Sequence, residues 1–507
     1  MTTMNLITEQ WIPVTWRAGG TGLVGLDELF AKANEIGDLA VKPHERIALM
    51  RLLMCITQAA LDGPADHYAW EDCREDIPGR AHDYLRKWKA AFDLFGDGPR
   101  FLQVPNLKSG KEDGEATDAT KLDLALATGH NATVFDNAGG SERPQAPARL
   151  ALSLLAFQNL SPGGRIGVAK WNGSDTAGAG SSNHAPCIPA SMLHCFLQGQ
   201  TLLETLHLNL LDREQALDLN GPDSWGRPCW ELPVLALTAK AEVRNATMTY
   251  LGRLAPLARA VRLFEDGTRM VLANGLNYPA YPAFREASVT LVERKDGPGL
   301  LSASLERSLW RQLPAVAVRR RATKDALCGP AALANLPDNT PASLWLGALV
   351  TDKAKIEDVV EGIYHIPAGM FKDLGRQTFE AGVAFAEGWE MALVFSVRTW
   401  AETLKLQPAP SDKARRHFWT AIEQHVPTLL ALTDTPGAAA DFAATPWGKA
   451  VRTAAQEAYE FACPRQNPRQ IEAFAKGRQQ LFLRKPKPKP DGSATAPAVK
   501  TRKNHPS

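Results

Sequence analysis

From residue 366 onward the apolar spacing is helical in four successive segments, and nothing else in the chain constrains its fold so strongly. "FKDLGRQTFEAGVAFAEGWEMALVFSVRTWAETLKL" carries a long helix pattern closed by "QPAPSD". "DKARRHFWTAIEQHVPTLLALT" gives a second, with Pro427 as a kink or break. "DTPGAAADFAATPWGKAVRTAAQEAYEFAC" gives a third, broken near Pro446. "NPRQIEAFAKGRQQLFLRK" gives a fourth, with Asn467 as N-cap and Pro468 at the first helical position, where the missing N–H has no partner to lose. Helices joined by short connections pack as antiparallel neighbours, so an antiparallel four-helix bundle is expected over 366–483.

Before residue 366 the pattern is of short, mixed elements. "NLITEQWIPVTW" reads as a strand with Trp11 and Ile12 inward, and "KPHERIALMRLLMCITQAALDG" as a helix stopped by Gly63. Residues 68–94 read as one further helix, ended by the glycines of "FGDGPRFLQV". "PARLALSLLAFQNL" reads as an amphipathic helix with Leu150, Leu154 and Phe157 on one face, and the run from Met192 to Phe196 as a buried helix. "TRMVLANG" and "ASVTLVER" alternate as strands do, and the prolines of "LNYPAYPAF" between them forbid a central strand. The expected fold class is α+β: a large mixed N-terminal domain over 1–365, then the bundle, then a disordered basic tail over 484–507.

Composition narrows the class. At 507 residues, 45% apolar and 22% charged, the chain is long enough for more than one domain and has the make-up of a globular protein. No apolar run approaches the roughly 20 residues of a membrane helix, and the first residues lack a signal-peptide pattern, so a cytoplasmic protein without membrane contact is expected. The seven scattered cysteines form no CxxC pair and no disulfide framework is expected. His184, Cys187, His194 and Cys195 are the nearest approach to a metal set, but their spacing matches no finger, so neither metal nor cofactor is expected. The tail holds seven basic residues against Asp491 for a charge of +6, which leaves −4 of the net +2 to residues 1–483. Such a body is not a uniformly basic nucleic-acid binder.

One loop resists assignment from spacing. Pro162-Gly163-Gly164-Arg165 follows the "LSLLAFQNL" helix and leads into a run of small residues. It lacks the GxxxxGK[ST] and GxGxxG phosphate patterns, and the chain has no HExxH or GxSxG. A helix C-cap turn and a backbone contact with nucleic acid both suit it. Residues 105–147 form a second long polar loop, within which Phe135 either pins the loop to the body or is offered to a partner. Arg319, Arg320, Arg321 and Lys324 make a basic cluster of the kind most often found solvated.

Taken in order, "MNLITEQWIPV", "FGDGPRFLQV", "NATVFDNAG", the helix before "SPGGRIG", "ARRHFWTAIEQHVPTLL" and the C-terminal helices resemble the large subunit of the type I-E CRISPR Cascade complex, the CasA family, over residues 4–483. The resemblance implies a non-catalytic subunit of an RNA-guided complex. Its implied partners are target double-stranded DNA, the guide RNA 5′ handle, the backbone, small and handle-binding subunits, and a helicase-nuclease that it helps recruit. It implies reading of the protospacer-adjacent motif from the minor groove and wedging of the duplex so that an R-loop forms, while base pairing reads sequence. The competing class is a nuclease or nucleotide-processing enzyme whose site is not visible in sequence.

The resemblance also implies site residues. Gly163 and Gly164 would let backbone approach a groove about 6 Å wide, and Arg165 would add a guanidinium there. Asp352, Lys353 and Ala354, in "GALVTDKAKIEDVV", match the tip of the family's wedge, where Lys353 replaces an amide side chain. Arg269, with Thr268 as the alternative, matches a basic strand residue near the minor groove. Phe135 and Asn131 match a loop that meets the guide RNA and neighbouring subunits. The four-cysteine zinc site of some members is missing from this sequence.

Overall fold

The structure is a computed structural model, and it describes residues 4–109, 116–126, 145–162, 166–178, 187–189, 191–319, 327–352, 355–439 and 441–483. Its N-terminal part is built of small antiparallel sheets around two buried helices. β1 (Ile12–Trp16) lies between β2 (Thr21–Val24) and β3 (Ile36–Leu39), with Trp11 and Ile12 buried as their apolar character demands. The first central helix, α1 (Pro43–Leu61), begins on Pro43, and the Glu45 carboxylate accepts from the Lys42 N–H at 3.0 Å. It ends because Asp62 turns into the left-handed region at φ 50°, one residue earlier than the expected stop at Gly63.

Three other expectations for this part are corrected. The segment read as one helix over 68–94 is broken into His67–Asp72, Cys73–Asp76, Ile77–Lys87 and Lys89–Phe92. Pro78 accounts for the restart at 77, since proline fits only a helix's first turn. The second central helix, α2 (Pro147–Leu160), is not amphipathic: every residue from 150 to 160 is buried. Its Gln158 pairs inside, donating to the Leu102 and Arg259 carbonyls, each at 2.9 Å. The run before Phe196 is a strand, because an apolar run this short fits either element and here neighbours on both sides offer ladder hydrogen bonds.

The remaining strands frame the helices. β4 (Lys108–Ser109), β6 (Ala169–Trp171) and β7 (Ser174–Asp175) form one sheet, ordered β4-β6-β7. β5 (Thr117–Asp118), β10 (Arg269–Asn274) and β9 (Arg259–Leu263) form another in that order. β11 (Leu291–Arg294) pairs with β12 (Gly297–Leu300). β8 (His194–Gln198), β13 (Ala342–Asp352) and β14 (Lys355–Ile366) make the longest sheet, with β13 in the middle.

Beyond Ile366 the chain is helical. α3 (Asp373–Leu404) packs against α4 (Ser411–Glu423), α5 (Pro446–Ala462) and α6 (Pro468–Leu483). Pro427 breaks rather than kinks: a separate short helix, Val426–Ala431, starts around it. Asn467 caps α6, its Oδ1 accepting from the Gln470 N–H at 3.0 Å. Small residues set the close approaches: a Cβ on Gly477 would lie 2.2 Å from the Tyr459 hydroxyl and 2.7 Å from the Ser396 carbonyl oxygen. The core of this layer also takes in Trp310 from the preceding part, whose ring meets Phe379, Trp419 and Trp447 at 5.8–6.4 Å.

Candidate nucleic-acid interface

Two features at the surface follow from this frame. The first is the hairpin of β13 and β14. Its last pair is Asp352 with Lys355, which leaves only two residues between the strands. A two-residue connection is the tightest common hairpin link. Asp352 and Lys355 are both exposed, whereas Ile356 is buried and anchors the root. A bulge at Val350/Thr351, where β14 carries one extra residue, sharpens the local twist.

The root is fastened from the side. β8 stops pairing with β13 at His194–Gly347, which leaves the outer edge near Thr351 without a strand. Ser191 takes over that edge. Its hydroxyl accepts from the Thr351 N–H at 2.9 Å and donates to the Thr351 carbonyl at 3.3 Å.

The second feature is the mouth of the glycine loop. α2 ends at Leu160, and Ser161 and Pro162 leave it toward residue 163. A fully buried guanidinium, Arg259, holds both residues. Its Nε donates to Ser161 Oγ at 3.0 Å and its Nη2 to the Pro162 carbonyl at 2.7 Å, while Nη1 donates to Asn274 Oδ1 at 2.7 Å. Arg259 sits opposite Asn274 in the β9–β10 ladder, and burial pushes its pKa down to about 10. The sequence reading missed this residue. The available sign was an arginine inside the apolar alternation of "LARAVRLF", a position that tolerates a charge only if it is fully hydrogen-bonded.

The loop mouth and the hairpin root are joined by a short path. The Ile188 N–H donates to the Asn159 carbonyl at 3.0 Å, and three residues later Ser191 grips Thr351.

Arg269 stands elsewhere. It opens β10 opposite Asp118, is exposed, and lies with its guanidinium 5.7 Å from the Phe264 ring centroid. Asn274, which meets the Arg259 clamp, is at the other end of the same strand, about 17 Å away at strand spacing. The structure therefore does not bring Arg269 to the loop mouth. Thr268 bonds Asp266 at 2.8 Å. Gly163, Gly164, Arg165, Lys353, Ala354, Phe135 and Asn131 lie outside the described residues, as do His184, Arg320, Arg321 and Lys324.

Other residues singled out in the sequence have structural partners. His194 is fully buried, its Nδ1 2.8 Å from Ser288 Oγ, and burial pushes its pKa down to about 3. Cys187 and Cys195 are buried thiols, and among the described residues no group of three or more possible ligands is placed to hold a metal. Arg319 pairs with Asp338 at 2.8 Å. No helix among the described residues is long and apolar enough to cross a membrane.

A buried ion triad behind these features escaped the sequence reading entirely. Glu286 accepts from Arg51 at 2.6 Å and from Arg253 at 2.9 Å, and Arg51 also donates to the Arg253 carbonyl at 2.5 Å. It locks α1 to the helix Tyr250–Leu254 and to the segment that precedes β11. Burial alone would raise the Glu286 carboxyl, but the two guanidiniums outweigh it and hold the pKa at about 2.

Comparison with known proteins agrees with this architecture. The chain is 29% identical to a CRISPR-associated protein CasA/Cse1 of Thermus thermophilus, over 94% of this chain and 96% of that one. The solved structure of Thermus thermophilus CasA (Cse1) superposes with a TM-score of 0.71 at 25% identity, covering 95% of this chain and 99% of the other. A chain solved as part of a CRISPR RNA-guided surveillance complex shares the fold at a TM-score of 0.69 and 19% identity, covering 95% and 100%. The model of the CRISPR-associated protein Cse1 family matches residues 5–458, from before β1 into α5, and the chain belongs to that family.

Proposed function

We propose that this chain is the non-catalytic large subunit of an RNA-guided CRISPR Cascade complex, in which it recognises the protospacer-adjacent motif of duplex DNA through the minor groove, wedges the duplex open and helps recruit the helicase-nuclease. The relatives named CasA/Cse1, and the shared fold of a chain within an RNA-guided surveillance complex, support its place in the assembly. One observation carries the wedging role: a long hairpin closes at Asp352–Lys355 on a two-residue tip, with its root fastened by Ser191. A prong must be stiff, because unstacking a base-pair step costs about 1.4 kcal/mol and a loose loop would yield before the duplex does. Lys353 at that tip would press on the first base pair and hold a phosphate.

The glycine loop supplies the second contact. Gly163 and Gly164 follow directly on a mouth that Arg259 immobilises. Backbone without Cβ atoms reaches into a narrow groove, and Arg165 is drawn by that groove's negative potential. Arg269, about 17 Å along β10, would meet the duplex at a separate point. The −4 body suits a subunit whose neighbours carry the RNA and most phosphate contacts.

The test is motif-dependent binding of duplex DNA by the assembled complex carrying Lys353→Ala or Gly163→Asp. Each should weaken binding to motif-bearing duplex at least tenfold while the complex still assembles. Unchanged binding by both variants would overturn the assignment. Magnesium-dependent cleavage by the isolated chain, abolished by changing one carboxylate, would favour an enzyme instead.

A further inference from the structure

A cleft of about 540 Å³ opens on the N-terminal part, lined by Trp88, Trp230 and the fully buried Trp171, with Arg100, Lys87 and Leu235 also among its lining residues. Among the described residues, neither the β13–β14 hairpin nor Ser161 and Pro162 at the mouth of the glycine loop lines it. Its volume falls in the range of small-ligand sites, and its surface is mostly aromatic and aliphatic with a few polar groups. Two of the indoles are fixed by their N–H groups: Trp171 donates to the Val234 carbonyl at 3.1 Å, and Trp230 to the Tyr84 hydroxyl at 2.7 Å. The Trp88 N–H is buried and has no acceptor among the described residues.

Arg100 decides what chemistry the cleft suits. It is only 8% exposed, and its Nε and Nη1 donate to the carbonyls of Gly96 and Leu263 at 2.5 and 2.7 Å. No carboxylate of the described residues lies within ion-pair distance of it. Asp97, also in the lining, and Glu265 lie near enough to favour its charge and Arg262 opposes it, but neither carboxylate makes an ion pair with it. A buried guanidinium that donates to neutral carbonyls and makes no ion pair is satisfied further by an anion placed against it. Aromatic rings beside a guanidinium without an ion pair are the elements that bind unpaired nucleotides, the rings taking the base and the cation the phosphate.

We infer that this cleft binds a single unstacked nucleotide, its base against Trp88 and Trp230 and its phosphate on Arg100 and Lys87. Its described lining shares no residue with the β13–β14 hairpin or with the mouth of the glycine loop. The nucleotide belongs either to a single strand or to a free mononucleotide, the chemistry being the same.

Photo-crosslinking of the full chain tests this, with a 5-iodouridine tetranucleotide in one arm and 5-iodouridine monophosphate in the other. Peptides bearing Trp88 or Trp230 should carry the cross-link. Cross-linking by the tetranucleotide alone assigns a strand, and by the monophosphate as well, a free nucleotide. Leu235→Glu and Lys87→Glu alter exposed residues and should leave the fold intact. Each should lower cross-linking at least fivefold without changing motif-dependent duplex binding by the assembled complex. Cross-links confined to the 484–507 tail, or indifferent to both variants, would overturn the inference. So would competition at the cleft by a proline-rich peptide and not by unlabelled nucleotide.

Discussion

Arg51, Glu286 and Arg253 show how one buried carboxylate can govern a large core. Breaking a buried ion pair by removing one partner costs about 3–5 kcal/mol, because the remaining charges stay dehydrated. Glu286→Gln strands two guanidiniums at once, so urea unfolding should show a loss at or above that range. The pH dependence has a definite sign. The Glu286 carboxyl is held at about 2 in the folded chain, below its ordinary 4.5, so its stabilisation is complete above 4.5 and is lost as pH falls toward 2. Between pH 4.5 and 2 the wild-type chain should therefore lose stability more steeply than Glu286→Gln, and equal slopes in acid unfolding curves would remove the triad from this role. Arg259 offers a parallel case nearer the surface. Arg259→Gln cannot reach Ser161, Pro162 and Asn274 together, and motif-dependent binding by the assembled complex should fall at least tenfold while the subunit still incorporates.

The hairpin is where element-scale design meets function. Thr351 lies beyond the reach of β8, so both its backbone groups depend on the Ser191 hydroxyl. Ser191→Ala removes both hydrogen bonds, each worth about 1 kcal/mol net. Amide exchange at Thr351 should quicken tenfold or more, and duplex opening by the assembled complex should slow while the strands stay paired at Val350–Asp358. The hairpin at "GALVTDKAKIEDVV" was indicated only by the family resemblance, whereas the cap at Asn467 and the helices beyond 372 were legible in the residues themselves. Those last signals are local: a cap and a period. The strand at His194 and the burial of α2 on every face were not legible, because an all-apolar run carries no period until its neighbours are known. Ser191, Arg259 and Glu286 were missed for the same reason, since each acts on residues far away in sequence. The order of the motifs pointed to the wedge and the glycine loop, and the clamps that would make them rigid came only from the fold.

At the scale of the whole molecule, charge is divided between two parts with different consequences. Residues 1–483 carry −4, and the last 24 residues carry +6. An isolated chain should therefore bind DNA chiefly through its tail. Such binding releases counterions, and its affinity falls with salt at a slope of about −0.9 per phosphate neutralised. Removing residues 484–507 should take away most of the isolated chain's salt-dependent duplex binding, measured as the slope of log affinity against log salt between 50 and 200 mM. In the assembled complex the same truncation should leave the preference for motif-bearing duplex unchanged, because the tail's lysines meet phosphates and read no base. If the truncated subunit lost that preference, recognition would lie in the tail, and the hairpin and glycine loop would be left without their assigned role. If the isolated body bound duplex as tightly without its tail, the negative charge of residues 1–483 would have to conceal a basic surface, for which Arg269 at the exposed end of β10 is the first residue to change.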